Sequence, residues 1–378
     1  MVAFNVPFLT GTEPACMEQA IQRRNLSGEG HYTKRCQTQL TELTNSPSAL
    51  LTPSCTHALE LVALLLDLEP DDEIIMPSFT FVSTANAFVL RGAVPVFVDI
   101  RPDTMNIDEQ LIEAAITKRT RAIVVMHYAG VACEMDAIMA TARRHQLIVV
   151  EDAAQCIGAH YRGRHLGSIG HFGTFSFHST KNIHCGEGGA LLINEPDFVK
   201  RAEIIREKGT NRKQFLRGEV DRYSWVHLGS SILPGELNAA FLWAQLTQLD
   251  AITAQRRRLW QDYYEGFATS EGEWELPTVP ETARHNGHLF YLKCRDGVER
   301  QALIQHLKRA GIQSTFHYVP LHTAPAGQRY GRFVGPDRYT THESARLLRL
   351  PLYPELTAVP QIIQQVQQFT RHYEGAQR

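Results

Sequence analysis

Between residues 48 and 152 the chain repeats one pattern: a short apolar run rich in β-branched residues, a turn, then a helical stretch. The runs "SALLTP" (48–53), "EIIMP" (73–77), "VPVFVDI" (94–100), "RAIVVMH" (121–127) and "LIVVED" (147–152) read as strands. Helices are predicted from the Ser54 cap through Leu66, over Thr80–Leu90, near 108–117 and over 134–146. Strands this apolar must be covered on both faces, and strands joined by helices run parallel. The prediction is an α/β fold with a mainly parallel central sheet and helices on both faces.

After 152 the strands come closer together, as "FGTFSFH" (172–178) and "GGALLIN" (188–194), followed by a helix near 196–208 and a charged loop over 209–225. A long helix from about Gly235 to Phe267 then leads to "HLFYLKC" (288–294), "RQALIQHLKRAGI" (300–312), "STFHYVP" (314–320) and a helix from about 359. This predicts two domains, a large ligand-binding one over 1–245 and a smaller α/β one over 246–378; a chain of 378 residues has ample length for both.

A formal net charge of −2 gives no basic field, so no nucleic-acid partner is expected, and Arg256-Arg257-Arg258 reads as a solvated helix face. The start "MVAFNVPFLTGTEP" lacks a basic segment followed by a long apolar run, and "LELVALLLDL" (59–68) is too short to span a bilayer. No membrane association is expected. Seven cysteines, at 16, 36, 55, 133, 156, 185 and 294, form no C-x-x-C pair and suggest no disulfide framework. A cytoplasmic location is the expectation.

Ligands of open parallel sheets gather outside the carboxyl ends of the strands, so the polar residues after each apolar run carry the functional reading. Ser54-Cys55-Thr56 stands at a strand-to-helix turn, where free N–H groups, the helix dipole and hydroxyls suit a phosphate; a plain N-cap accounts for the same residues. Neither the nucleotide P-loop pattern nor the dinucleotide G-x-G-x-x-G is present. Asp152 closes a buried strand and needs either neighbouring N–H donors or a cation, of which a protonated pyridine nitrogen is one. Gln155 lies close enough in sequence to orient a ring hydroxyl, and Phe79 in "MPSFTF" offers a flat face for stacking.

In "FSFHSTKNIHCGEGG" (175–189) Ser176 and His178 share one strand face and Lys181 follows at the exit. Lys181 is then either a solvated loop lysine or an amine held to form a Schiff base. His178, His184 and Cys185 lack a ligand spacing, so no metal is expected. A phosphate turn, a later strand-end carboxylate and a lysine beyond it are the parts that pyridoxal 5′-phosphate requires.

The segments "PSFTFVSTANAFVLRGAVPVFVDI", "VVEDAAQ" and "FSFHSTKN…GEGG" closely resemble the fold-type I sugar aminotransferases that act on nucleotide-linked keto sugars. The resemblance runs over essentially the whole chain. It implies the fold-type I pyridoxal-phosphate architecture, with Lys181 linking to the cofactor and shuttling the proton. Asp152 would pair with the pyridine nitrogen, Gln155 with the ring hydroxyl and Phe79 with the ring face. Ser54, Cys55, Thr56 and Ser176 would hold the phosphate. Many relatives add an Asn from a "G-Y-N-Y-R" motif of the partner subunit; here "LGSSIL" (228–233) puts Ser231 at that place.

The resemblance further implies a homodimer with shared active sites, L-glutamate as donor and a dTDP-linked keto sugar as acceptor. "LLTPSCT", "HYAGVACEMD", "AEIIREKGTNR" and "LLRLPL" are nearest to the branch that makes dTDP-4-amino-4,6-dideoxygalactose. Arg212, Arg217 and Arg222 are the cations expected near the diphosphate, and Tyr318 and His322 of "FHYVPLHTAP" (316–325) are expected near the sugar nucleotide. A dehydratase on the same fold carries a histidine where Lys181 stands, and a non-catalytic relative would lack Lys181 or Asp152.

Overall fold

The computed structural model describes residues 1–268 and 274–377, so residues 269–273 and 378 of the expected second domain lie outside it. Eight strands build the main sheet: β1 (Ser48–Thr52), β2 (Glu73–Pro77), β3 (Val94–Val98), β4 (Thr120–Met126), β5 (Ile148–Asp152), β6 (Phe172–Ser176), β7 (Gly189–Ile193) and β8 (Arg332–Phe333). Their order is β1-β7-β6-β5-β4-β2-β3-β8. Only β7 runs against its neighbours; the other pairs are parallel.

The sheet is buried on both faces, as its unbroken apolar runs require. Along β4, Ile123 and Val125 enter one core while Ala122 and Val124 enter the other, and Val149 and Val150 of β5 divide in the same way. Helices His31–Thr44, Met135–His145 and Glu236–Leu246 cover the first face; Cys55–Leu65, Val82–Val89 and Val199–Arg206 cover the second. Each fully buried Val or Ile contributes about 1.5–3 kcal/mol relative to exposure. The alternation therefore fixes the register, because a one-residue slip would exchange the two faces.

A third core gathers Trp260, Leu303 and Ile362 around the antiparallel pair Phe290–Lys293 and Leu347–Leu350. Its boundary with the large sheet is not clean in sequence. Residues Arg332–Phe333 return to pair with β3, and Val2 bridges to Ile312.

Four details depart from the sequence expectations. The helix expected over 235–267 is two helices, Glu236–Leu246 and Leu249–Ala268, broken where the Thr247 hydroxyl donates to the Ala244 carbonyl at 2.7 Å. Arg256 is not on a solvated face. It shares the buried stripe of that second helix with Ile252 and Trp260, at the four-residue spacing of a helix face, and only 2% of it is exposed. Its guanidinium donates to the carbonyls of Gly287, His288 and Leu352 at 3.0, 2.7 and 3.0 Å. Segment 314–320 makes a single bridge, Thr315 to Arg349, rather than a strand. The charged loop after 209 contains a short helix, Arg212–Leu216.

Candidate active site

A cleft of about 620 Å³ opens at the carboxyl ends of the parallel strands, with Ser54, Thr56, Asp152, Ser176, Lys181 and Tyr318 on its wall. They come from the turn after β1, the ends of β5 and β6, the connection after β6 and the C-terminal segment, and the sheet brings them together.

Ser54 ends the turn after β1 in extended backbone and caps helix Cys55–Leu65, its Oγ accepting from the His57 N–H at 3.2 Å. The Cys55 and Thr56 N–H groups are the first two of that helix and have no acceptor among the described residues. The Thr56 hydroxyl donates to Ser83 Oγ at 2.8 Å. At Gly189, the first residue of β7, a side chain would run into the Ser54 backbone and the Cys55 nitrogen, so glycine lets the strand pass against the helix start. Two free N–H donors, three hydroxyls and the positive end of a helix form a donor set suited to a phosphate monoester.

Asp152, the last residue of β5, is 5% exposed. One carboxylate oxygen accepts from the Thr84 hydroxyl at 2.7 Å and the other from the Ala154 N–H at 3.2 Å. Thr84 in turn lies 2.8 Å from the Thr80 hydroxyl. Behind it, Glu151 points to the opposite side of β5 and is fully buried. It accepts from His127 Nε2 at 2.9 Å and from the N–H groups of Gly167, Ile169 and Gly170 at 2.6–2.8 Å. Burial alone would raise the Glu151 pKa; the hydrogen bonds from His127 and from these amides outweigh it and hold the carboxyl below its ordinary range. The end of β5 is thereby anchored and Asp152 fixed in place.

Gln155 accepts from the Ala129 N–H at 2.7 Å and donates through Nε2 to the Tyr318 oxygen at 3.0 Å. Burial pushes the Tyr318 phenol up, so it stays protonated at neutral pH.

Lys181 sits in the connection 177–188 between β6 and β7. That connection is pinned at both ends: the Phe177 N–H donates to Gly188 O at 2.8 Å, Ser179 N–H to Gly186 O at 2.8 Å, and Cys185 N–H to Phe177 O at 2.9 Å. Lys181 is partly buried and faces the cleft, not open solvent. Burial holds its amine below the usual lysine range, the Arg349 charge acting in the same direction and the Cys55 and Asp152 groups against it.

Several expected residues lie elsewhere. Phe79 is 1% exposed and packs edge-on against Tyr128 and Tyr318 at 5.0 and 5.4 Å, behind the cleft wall; Phe81, two residues on, is 53% exposed and lines the cleft. A residue buried on all sides has no free face for a ring. His322 is not on the cleft wall: it lies 2.6 Å from Ser78 Oγ and 3.0 Å from Asp337, tying two loops together. Arg212 pairs with Glu207, and Arg217 with Glu203 and Glu219. Arg222 and Ser231 are exposed. None of these four lines the cleft of its own chain. Among the cleft residues not singled out in the sequence are Phe4, His288, His317 and Arg349. The one signal for Arg349 is a charge inside the apolar run "LLRLPL".

Among the described residues no group of three or more His, Cys, Asp or Glu is placed to hold a metal, and no helix is long and apolar enough to cross a membrane.

The sequence model of the DegT/DnrJ/EryC1/StrS aminotransferase family matches residues 9–367. Among solved structures, the aminotransferase TlmJ from Streptoalloteichus hindustanus superposes with a TM-score of 0.91 at 28% identity, covering 99% of this chain and 100% of that one. Spr1654 from Streptococcus pneumoniae in its PLP form gives 0.88 at 27% identity over 98% and 99% of the two chains. DesV from S. venezuelae, in complex with a ketimine intermediate, gives 0.86 at 30% identity over 95% and 94%. A phosphate cup, a strand-end carboxylate and a cleft lysine, carried on this sheet, agree with those likenesses: the chain belongs to the DegT/DnrJ/EryC1/StrS aminotransferase family and is a pyridoxal-phosphate-dependent enzyme of the fold-type I class.

Proposed function

We propose that the chain transfers an amino group from L-glutamate to C4 of dTDP-4-keto-6-deoxyglucose, giving dTDP-4-amino-4,6-dideoxygalactose for a cell-surface polysaccharide of the enterobacterial common antigen type. The observation that carries the aminotransferase part is the convergence of Lys181, Asp152 and the Ser54–Thr56 cup on one cleft. The sugar is supported by the resemblance of "HYAGVACEMD" and the 209–225 loop to the enzyme that makes this product.

Pyridoxal phosphate, when bound, supplies an aldehyde that links to amines and a cationic ring that accepts electrons. The chain does the rest. Ser54, Thr56 and Ser176 hydroxyls and the Cys55 and Thr56 N–H groups hold the phosphate. Asp152, kept in place by Thr84 and Ala154, would pair with the ring nitrogen and favour its protonated form. Gln155 orients the ring hydroxyl, and Phe81 takes the stacking role that the sequence assigned to Phe79. Lys181, whose amine burial holds below the usual lysine range, would take the proton from the donor Cα and, in the second half-reaction, deliver one to sugar C4.

The loop 209–231 bears exposed Tyr223, Trp225, Val226 and Leu228. Since Arg222 and Ser231 do not reach the cleft of their own chain, they serve the site of a second subunit in a two-fold dimer. Arg212 and Arg217 are engaged in ion pairs, which leaves Arg222 the better diphosphate contact. An alternative acceptor, a 3-keto dTDP sugar or a UDP-4-keto sugar, would use the same machinery. Mass analysis of products from a panel of dTDP- and UDP-keto sugars with L-glutamate decides among these, with an axial 4-amino dTDP sugar expected. Sedimentation at assay concentration tests the dimer, and an active monomer would refute it.

A further inference from the structure

The N-terminal segment reaches the cleft as a strap fastened at both ends. Val2 packs against the third core; its N–H donates to the Gly311 carbonyl at 2.7 Å and its carbonyl accepts from the Gln313 N–H at 3.0 Å. The Phe4 N–H donates to Gln313 Oε1 at 2.9 Å. At the other end Phe8 packs against the first core of the main sheet. Its carbonyl accepts from His184 Nε2 and Gln245 Nε2, both at 2.8 Å and both from buried side chains. His184 belongs to the connection 177–188 that also carries Lys181. Between the anchors Pro7 disfavours helical backbone at Val6, and no helix or turn forms over 5–10.

Two residues of the strap, Phe4 and Asn5, stand on the cleft wall. Phe4 lies over Arg349, its ring centre 4.8 Å from the guanidinium carbon. Arg349 is close enough to Lys181 for its charge to bear on the amine. Asn5, next in the chain, is half-buried, and its side chain has no hydrogen-bond partner among the described residues. An amide carried into a cleft between two anchors is already ordered, so a ligand keeps most of what the contact gives. The amide donates through its NH2, accepts through its carbonyl and carries no charge.

We infer that Asn5 hydrogen-bonds the pyranose hydroxyls of the acceptor sugar, a role that rests on the keto-sugar aminotransferase reading. A hydroxyl both donates and accepts, so neighbouring hydroxyls can use the two ends of the amide together. The carboxylates of L-glutamate offer acceptors alone, which would leave the Asn5 carbonyl facing negative charge. Position selects the sugar over the nucleotide base. The keto carbon must come to Lys181 and belongs to the pyranose ring itself, whereas ring and diphosphate both stand between that carbon and the base. The strap also couples the reading of the sugar to the reacting amine, because Phe8 is tied through His184 to the connection that carries Lys181.

The test measures binding to the cofactor-loaded enzyme by calorimetry, with no turnover. The sugar probe is dTDP-glucose, a pyranose without a keto group; thymidine diphosphate is the same nucleotide without the sugar; 2-methylglutamate carries the donor carboxylates without an α-proton. Asn5→Ala should weaken dTDP-glucose by about 3- to 10-fold, the worth of one neutral hydrogen bond, and leave the other two unchanged. Its melting temperature should match the wild type, because the side chain bonds nothing within the chain. Unchanged dTDP-glucose affinity overturns the assignment, as does an equal loss for thymidine diphosphate or a loss confined to 2-methylglutamate; the aminotransferase reading stands in each case. An enzyme that prefers uridine nucleotides overturns the proposed acceptor alone, and UDP-glucose against UDP then makes the same comparison. A wild type that binds neither sugar nucleotide overturns the keto-sugar reading, and this inference with it.

Discussion

Replacing Asp152 with asparagine separates the charge of this side chain from its shape. The carboxylate takes one hydrogen bond from Thr84 and one from Ala154. An asparagine can place its carbonyl toward the Ala154 N–H and its amide toward Thr84. The Thr84 hydroxyl can then turn and donate to Thr80, 2.8 Å away, instead of to residue 152. The hydroxyl chain reverses at the cost of the acceptor that Thr84 gave the Thr80 hydroxyl, a loss of about 1–3 kcal/mol that the fold should survive. What is lost is the negative charge that the proposed function sets beside the ring nitrogen. Two unit charges about 4 Å apart at an effective dielectric near 20 interact by about 4 kcal/mol. Removing one preorganised electrostatic contact typically costs about 10²–10³ in rate. Both figures give a fall of at least about 10² in the rate of the glutamate half-reaction, read as the change in visible absorbance in a single turnover. Cofactor content and melting temperature serve as controls and should stay near those of the wild type. A variant with full cofactor and a rate within a few-fold of wild type would falsify the electrostatic role of Asp152.

Lys181→Ala should lose the covalent cofactor link and turnover, and borohydride reduction of the wild type followed by peptide mapping should place the pyridoxyl group on Lys181; finding it on another lysine sinks the assignment. Phe79→Ala should cost about 3–5 kcal/mol of stability, as for any buried aromatic, whereas Phe81→Ala should leave the melting point nearly unchanged and weaken cofactor affinity. The reverse pattern would restore Phe79 as the stacking residue. His165 accepts from the Gly158 N–H at 2.9 Å and makes a 2.7 Å hydrogen bond to the Leu166 carbonyl, and burial pushes its pKa down to about 4. Because the unfolded chain binds this proton near pH 6.5, its contribution is full above about 6.5 and is lost as the pH falls toward 4. Thermal midpoints should drop across that window less steeply in His165→Asn, and parallel curves would refute the linkage.

The strands and their shared direction were legible because a strand covered on both faces has little choice of residues. Ile123, Val124 and Val125 must be apolar whichever core they enter. Asp152 and Lys181 were legible for the opposite reason, since each is a polar residue directly after such a run. Phe79 and Phe81 were not distinguishable. Both follow β2, and which one faces the cleft depends on how the chain turns into helix Val82–Val89. Arg256 was available to a reading of helix periodicity, since it sits four residues from both Ile252 and Trp260. Arg349 and His317 reach the cleft from the far end of the chain: the pairing of Leu347–Leu350 with Phe290–Lys293 places Arg349, and the Thr315–Arg349 bridge brings the segment with His317 beside it. β8 was missed because two residues carry no periodicity at all.

The reversed strand β7 has a kinetic consequence. Because it returns beside β6, Lys181 rides on a connection fastened at both ends rather than on a free lid. An amine that must first hold one partner and then carry a proton between two carbons has two places to be. With its backbone clamped, it can travel between them only by turning about its own side-chain bonds. Such rotations take picoseconds to nanoseconds, whereas loop opening takes far longer. On the proposed function, the proton carrier would then keep time with the bond-making steps, which would leave any slow gate to the entry and exit of donor and sugar.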